Sequence, residues 1–306
     1  MNTPDSPEAG DDPAPAAAGE RVAKWLARAG AGSRRDVERW IAEKRVKVDG
    51  TTIDTPATFV TAAHRIEIDG QRIAAPERAR LWLYHKPVGQ VVTARDPEGR
   101  PTVFDHLPRD LPRLVSIGRL DIASEGLLLL TNDGGLSRQL ELPANGFERR
   151  YRARVHGSID QTRLDRLMHG VEIEGVRYGP IKARLERQQR SNMWITVSLQ
   201  EGKNREVRRV MDFLGLGVNR LIRIGFGPFN LDALPEGAVI EASARQVDVV
   251  TGAPGNDASG RKPGWARPKP TVKTRPGRAK PRRDAMRDDP ARGGMPREET
   301  PRRGKR

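Results

Sequence analysis

The sequence predicts an α+β protein: a small N-terminal domain of two helices and short strands, then a larger domain on a mixed, largely antiparallel sheet. Three observations predict it. Val22, Trp25, Leu26 and Ala29, then Val37, Trp40 and Ile41, recur at helical spacing. Arg45–Val48 and Arg65–Ile68 alternate as strands, and each runs into an Asp-Gly pair, the turn residues of a tight hairpin. Beyond residue 80, strand-like runs at 81–84, 151–155, 194–199 and 221–224 mingle with helical ones near 135–141, 160–168 and 205–213. They do so without the regular βαβ alternation of a parallel sheet.

In chain order, residues 1–20 carry five acids and no Lys or Arg, and lack periodic apolar positions, so they are expected to be disordered. Gly30 and Gly32 stop the first helix, and Ser33 caps the second, with Asp36 three residues on completing a short capping box. Residues 21–78 form one compact unit, with Pro76–Arg80 as a linker. The second unit, 79–250, starts with Leu81-Trp82-Leu83-Tyr84 as a strand that His85-Lys86-Pro87-Val88-Gly89 breaks into a loop. After Val250 the apolar content collapses. Residues 251–306 hold no Leu, Ile or Phe, and Pro plus Gly make up 17 of the 56, so this tail is expected to stay disordered until it meets a partner.

Charge narrows the partner. Of the net +15, the tail contributes +11 and residues 1–20 contribute −5, which leaves +9 for residues 21–250. A basic body with a basic tail points to a polyanion, nucleic acid before others. The absence of cysteine excludes disulfides, thiolate catalysis and cysteine-ligated metal sites. His64, His85, His106, His156 and His169 show no paired metal-ligand spacing, and neither a GK[ST] phosphate loop nor a dinucleotide fingerprint is present. No metal, nucleotide or other cofactor is therefore expected. No apolar run approaches the ~20 residues that span a bilayer. The acidic start has no basic or apolar region of a signal peptide. A cytoplasmic, monomeric protein follows as the expectation.

The most informative string is Ser116-Ile117-Gly118-Arg119-Leu120-Asp121-Ile122-Ala123-Ser124-Glu125-Gly126-Leu127-Leu128-Leu129-Leu130-Thr131-Asn132-Asp133-Gly134. One carboxylate, Asp121, precedes a small-residue turn and an apolar run of strand length, a placement that suits a reactive acid at the rim of a cleft. This string resembles the catalytic motif of one family of ribosomal pseudouridine synthases, which comprises type A for small-subunit RNA and types B, E and F for large-subunit RNA. Lys86-Pro87-Val88-Gly89 is similar to the start of that family's catalytic domain. Glu201-Gly202-Lys203-Asn204-Arg205-Glu206-Val207-Arg208-Arg209 is similar to the segment that supplies its basic residue. The three motifs keep the family order over roughly residues 21–250. Arg149-Arg150 departs from the commoner acidic-basic pair before the tyrosine. Asn192-Met193-Trp194 and the basic tail resemble type B more than the shorter type A.

The resemblance implies a pseudouridine synthase catalytic domain over 79–250 and isomerisation of uridine to pseudouridine in ribosomal RNA, with 23S RNA favoured. That reaction breaks the glycosidic bond, turns the base and rejoins it through C5, with no redox agent, metal or ATP. The base must first leave the stack. A carboxylate then acts as nucleophile or proton acceptor, beside a cation that keeps it ionised, while a flat side chain holds the freed uracil. By resemblance the carboxylate is Asp121, the stacking side chain Tyr151 and the ion-pairing partner Arg208. Arg is suited to the last role because it stays charged and can grip a carboxylate with two hydrogen bonds. Arg119 is a candidate for displacing the flipped base, with an ordinary surface arginine as the alternative. Lys203, Asn204, Arg205 and Arg209 are candidates for substrate contacts. Leu221 is either an apolar wall of the pocket or core.

Residues 21–78 resemble an S4 domain, a small RNA-binding module. Its expected RNA contacts are Lys24, Arg28, Arg34, Arg35, Arg39, Lys44 and Arg45, helped by the second helix's N-terminus. The partner is ribosomal RNA or a ribosome assembly intermediate. Two alternatives stay open: the same chemistry on 16S or another structured RNA, and a non-catalytic RNA-binding assembly factor.

Overall fold

A computed structural model describes residues 19–252 except residue 190. The first domain contains β1 (Glu20–Arg21), α1 (Val22–Arg28), α2 (Arg34–Ala42), β2 (Val46–Val48), β3 (Thr51–Thr52), β4 (Phe59–Val60), β5 (Ile66–Ile68) and β6 (Gln71–Arg72). Its turns follow from local chemistry. Asp49 and Gly50 have φ of 50° and 81°, and Asp69 and Gly70 have 52° and 78°. Left-handed pairs of this kind make two-residue hairpins whose twist matches the strands. The Ser33 hydroxyl accepts from the Asp36 amide at 3.1 Å, and the Asp36 carboxylate accepts from the Ser33 amide at 3.0 Å, so the capping box is complete. Val22, Leu26, Val37, Ile41, Val46, Val60 and Ile66 form the core between helices and sheet.

The stretch expected to be disordered reaches one element too far. Glu20 pairs with Val60, and its carboxylate accepts from Arg28 at 2.6 Å and lies 3.3 Å from Lys24. The rest of that stretch through residue 18, and the expected tail from residue 253 on, lie outside the described residues.

The second domain is built on β7 (Leu81–Lys86), β8 (Val115–Ile117), β9 (Glu125–Thr131), α3 (Gly134–Glu141), β10 (Arg149–His156), α4 (Gln161–Asp165), β11 (Val171–Ile173), β12 (Val176–Tyr178), β13 (Lys182–Gln189), β14 (Asn192–Leu199), α5 (Glu206–Phe213), β15 (Gly217–Phe226), β16 (Phe229–Asn230), β17 (Val239–Glu241) and α6 (Ala244–Thr251). A nine-stranded sheet runs β13-β14-β10-β15-β9-β7-β17, with β16 on β15 and β8 on β9. All pairs in it are antiparallel except β15 with β9, where Ile222 faces Glu125 and Arg223 faces Gly126.

The two ends of the sheet are covered differently, and the sequence shows why. Leu81, Leu83, Leu127 and Leu129 pack under α3 and α6, while Trp82, Tyr84, Leu128 and Leu130 pack on the other face. Buried on both faces, β7 and β9 read as continuous apolar runs. Along β14 burial alternates instead, because α4 and α5 cover one face only. The expected linker is docked: Arg80 clasps Glu241 with two bonds of 2.6 Å, and Arg78 donates to Asp248 at 2.6 Å. The strand expected over 81–84 continues through Lys86, so that side chain belongs to the sheet and not to the loop.

Candidate active site

Asp121 sits in the turn between β8 and β9, just before β9 begins its pairing with β15 at Glu125 and Gly126. Gly118, at φ 67°, starts this turn, and the Ser124 amide closes it on the Asp121 carbonyl at 3.0 Å. Leu120 anchors it in the core. The Lys86–Gly89 loop is laced to the same turn. The Gly89 amide donates to the Ile122 carbonyl at 2.8 Å, and the Lys86 ammonium donates to Ser124 O at 2.8 Å and Pro87 O at 2.9 Å. Lys86 is 0% exposed. Burial pushes it down to about 8, against the upward pull of Asp121 and Glu125.

Behind the turn, Gly126 has φ 105°, and a Cβ there would lie 2.3 Å from Arg223 O and 2.7 Å from Arg223 N. Only glycine lets β9 and β15 approach this closely. Beside it, the buried Glu125 carboxylate accepts from Arg220. The register then carries the site sideways: Lys86 faces Gly126, Gly126 faces Arg223, and Arg223 faces Tyr151. Tyr151 thus lies two strands from the start of β9, roughly 10 Å between backbones. It is half-buried and packs against two core clusters.

The cation on Asp121 differs from the expectation. Arg205 places Nη1 3.5 Å from the Asp121 carboxylate, with the two side chains 49% and 33% exposed. Among the described residues no other cation comes within 4 Å of it. Arg208, expected in that role, instead donates to Ala123 O at 2.9 Å and Val218 O at 3.1 Å. The reason is geometric. Arg205 caps α5 at φ 51°, outside the helix and on the open side, whereas Arg208 lies inside the first turn and is buried. Arg208 therefore braces the backbone two residues after Asp121. Burial holds its guanidinium below the usual range, Arg205 adds to that, and Asp121 opposes it.

The remaining candidates divide. Arg119, Asn204 and Arg209 are exposed, and their side chains form no hydrogen bond or ion pair with described residues. Lys203 is engaged, donating to Arg177 O at 2.6 Å and to Glu201 at 2.7 Å. Leu221 is buried and packs in the core cluster under α5. Arg149, from the departing pair, is buried and ties β10 to the third motif by donating to Gln200 O. Glu206 in the same motif is buried with its Oε2 on the Lys203 amide at 2.9 Å, and burial pushes its carboxyl up.

In the first domain four of the seven expected cations are already partnered. Lys24 and Arg28 meet Glu20, Arg39 meets Asp36 at 3.2 Å, and Arg45 holds Asp69 at 2.6 Å while lying 5.7 Å from the Trp40 ring. Arg28 Nε also lies 2.9 Å from Asp133, the N-cap of α3, which joins the two domains. Arg34, Arg35 and Lys44 are exposed, with side chains free of ion pairs among the described residues. Lys86, Glu125, Arg220 and Glu206 were not singled out for function. Lys86 carries a sequence signal, a charge closing an apolar strand before Pro, and Glu125 and Glu206 lie inside the quoted motifs.

Sequence profiles match the chain to two families, the S4 domain over residues 20–66 and RNA pseudouridylate synthase over residues 80–213. An uncharacterized RNA pseudouridine synthase from Rickettsia felis is 50% identical over 222 residues, covering 72% of this chain and 96% of that one. Ribosomal large subunit pseudouridine synthase B of Pasteurella multocida is 43% identical over 241 residues, covering 76% and 70% respectively. Among solved structures, a pseudouridylate synthase crystal structure shares the fold at TM-score 0.53 and 24% identity, over 75% of this chain and 99% of that one. A lone acid on a braced turn, an arginine facing it and a tyrosine two strands away thus occur in a chain that belongs to the RNA pseudouridylate synthase family, enzymes that isomerise uridine in RNA, with an S4 domain ahead of the catalytic fold.

Proposed function

We propose that the protein converts a specific uridine of ribosomal RNA to pseudouridine, in the large-subunit 23S RNA, and that it works as a cytoplasmic monomer. The observation that carries the chemistry is Asp121, fixed by the turn that Lys86 and Arg208 brace and faced by Arg205 at 3.5 Å. A carboxylate held this way serves as nucleophile or proton acceptor without reorganising during the reaction. In this reading Arg205 orients Asp121, Tyr151 stacks on the detached uracil, and Arg119 and Arg209 meet the flipped nucleotide and its phosphates. Arg34, Arg35 and Lys44 supply the first domain's contacts to RNA backbone. The choice of large-subunit RNA is supported by the relatives named ribosomal large subunit pseudouridine synthase B.

The test uses ribosomal RNA transcripts tritiated at C5 of uridine, with tritium release followed for wild type and Asp121→Asn. Release on 23S but not 16S RNA, abolished in the variant, is the expected result. Release on 16S alone would move the substrate to the small ribosomal subunit. Release that survives Asp121→Asn would remove Asp121 from the chemistry.

A further inference from the structure

The half of the sheet made by β10, β14 and β13 has one covered face and one open face. Ala153, Val155, Met193, Ile195 and Val197 go into the core under α5. The residues between them take the opposite side, as the two-residue period of a strand requires. The register sets them in rows: Arg152 faces Thr196, which faces Arg184, and Arg154 faces Trp194, which faces Arg187; Lys182 extends the lattice opposite Ser198. Arg154, Lys182, Arg184 and Arg187 are exposed, and their charged groups form no hydrogen bond or ion pair within 4 Å among the described residues. Arg152 is held in place, its guanidinium 4.4 Å from the Trp194 ring centroid and its Nε donating to Glu186 at 2.7 Å. Glu186 is the one acid in the three strand sequences.

Protection of an exposed sheet edge accounts for part of this. β13 is the edge strand, and basic residues on an edge discourage pairing with another chain. That reason does not reach Arg152 and Arg154, because β10 lies third from the edge with a paired strand on each side. Arg154 also faces Arg220 across β15. Arg220 is already paired with Glu125, so it is Arg154 that is left without an anion among the described residues. Same-face residues along a strand are roughly 7 Å apart and neighbouring strands roughly 5 Å, so the cations form a flat lattice about 10 Å wide. Protein interfaces have cores depleted in charge and anchored by aromatic residues, whereas the one aromatic ring here is already covered by an arginine.

We propose that this open sheet face is a second RNA-binding surface, which holds the sugar-phosphate backbone of the substrate on the side of the sheet opposite α5. It deepens the ribosomal RNA reading above and rests on it. The experiment measures binding of the full chain to a 23S transcript at several salt concentrations. The variants are R154Q/K182Q/R184Q and a control, R163Q/R166Q/R245Q, that removes the same charge from exposed residues elsewhere. Each phosphate no longer neutralised lowers the slope of log K against log salt by about 0.7–0.9, so the first triple is expected to lose about 2–3 of slope and the control less than about 0.5. R154Q alone, expected to lose about a third as much, serves where the triple fails to fold. An unchanged slope in the face variants, or an equal loss in the control, overturns the proposal. Tritium release by wild type reports separately on the ribosomal reading, which stands or falls without reference to these slopes.

Discussion

Replacing Lys86 with methionine tests how the site is held. The ammonium is wholly buried, donates to two carbonyls and is pushed down to about 8 from the 10.5 of an exposed lysine. Between those two pH values the unfolded chain binds one more proton than the folded one, so the wild type gains stability as pH rises. At 1.36 kcal/mol per pKa unit, the gain between pH 7 and pH 10 is about 2.5 kcal/mol. Lys86→Met cannot show it. The stability gap between wild type and variant should therefore widen by about 2.5 kcal/mol over that range, as the wild type sheds the cost of a buried charge while the variant keeps two orphaned carbonyls. Urea unfolding followed by tryptophan fluorescence at pH 7, 8, 9 and 10 measures the gap. A gap that moves by less than about 0.5 kcal/mol would refute the reasoning. At pH 7.5 the single-turnover rate of the variant should also fall, because the missing bonds fix the turn that carries Asp121.

Gly126→Ala forces a left-handed φ on a residue with a side chain and drives its Cβ to 2.3 Å from a backbone oxygen. The strain alone costs about 1–3 kcal/mol, and a variant melting within a degree of wild type would show that β9 and β15 are not so closely joined. Arg205→Ala should slow tritium release while stability stays within about 0.5 kcal/mol, since the side chain is half exposed. Arg208→Ala should lower both, at about 1–3 kcal/mol for each orphaned carbonyl, and equal melting temperatures for the two variants would contradict their different placements. Asp133→Ala removes the α3 cap on Gly135 and Leu136 and the ion pair with Arg28. A loss of about 1 kcal/mol is expected from the cap, read by thermal melting.

What the sequence made legible was local. Asp49-Gly50, Asp69-Gly70 and the Ser33–Asp36 box dictate their conformations from two to four neighbouring residues. The apolar runs of β7 and β9 marked them as strands, and their burial on both faces came from the packing around them. The assignment of the cation on Asp121 failed because Arg205, Arg208 and Arg209 lie within five residues. The choice among them depends on one left-handed residue and on carbonyls supplied by Ala123 and Val218. The partnered cations of the first domain were hidden for a similar reason: Arg45 is neutralised by Asp69, 24 positions away. The strand β13 escaped notice because Lys-Ala-Arg-Leu-Glu-Arg has good helix formers throughout, and only its partner β14 makes it extended.

The position of β15 sets the order in which this protein can become an enzyme. Strands β7 to β9 and strands β10 to β14 are each paired within their own stretch of chain, yet in the sheet the two sets touch only through β15, which is synthesised after both. Until residues 217–226 emerge and insert, the growing chain carries two half-sheets with open edges at β9 and β10, Asp121 attached to one and Tyr151 to the other. Closing that gap requires pairings far apart in sequence, the slow kind of step in folding. Competence therefore arrives at once and late, and a nascent chain that stops short of β15 is left with unpaired strands that invite aggregation.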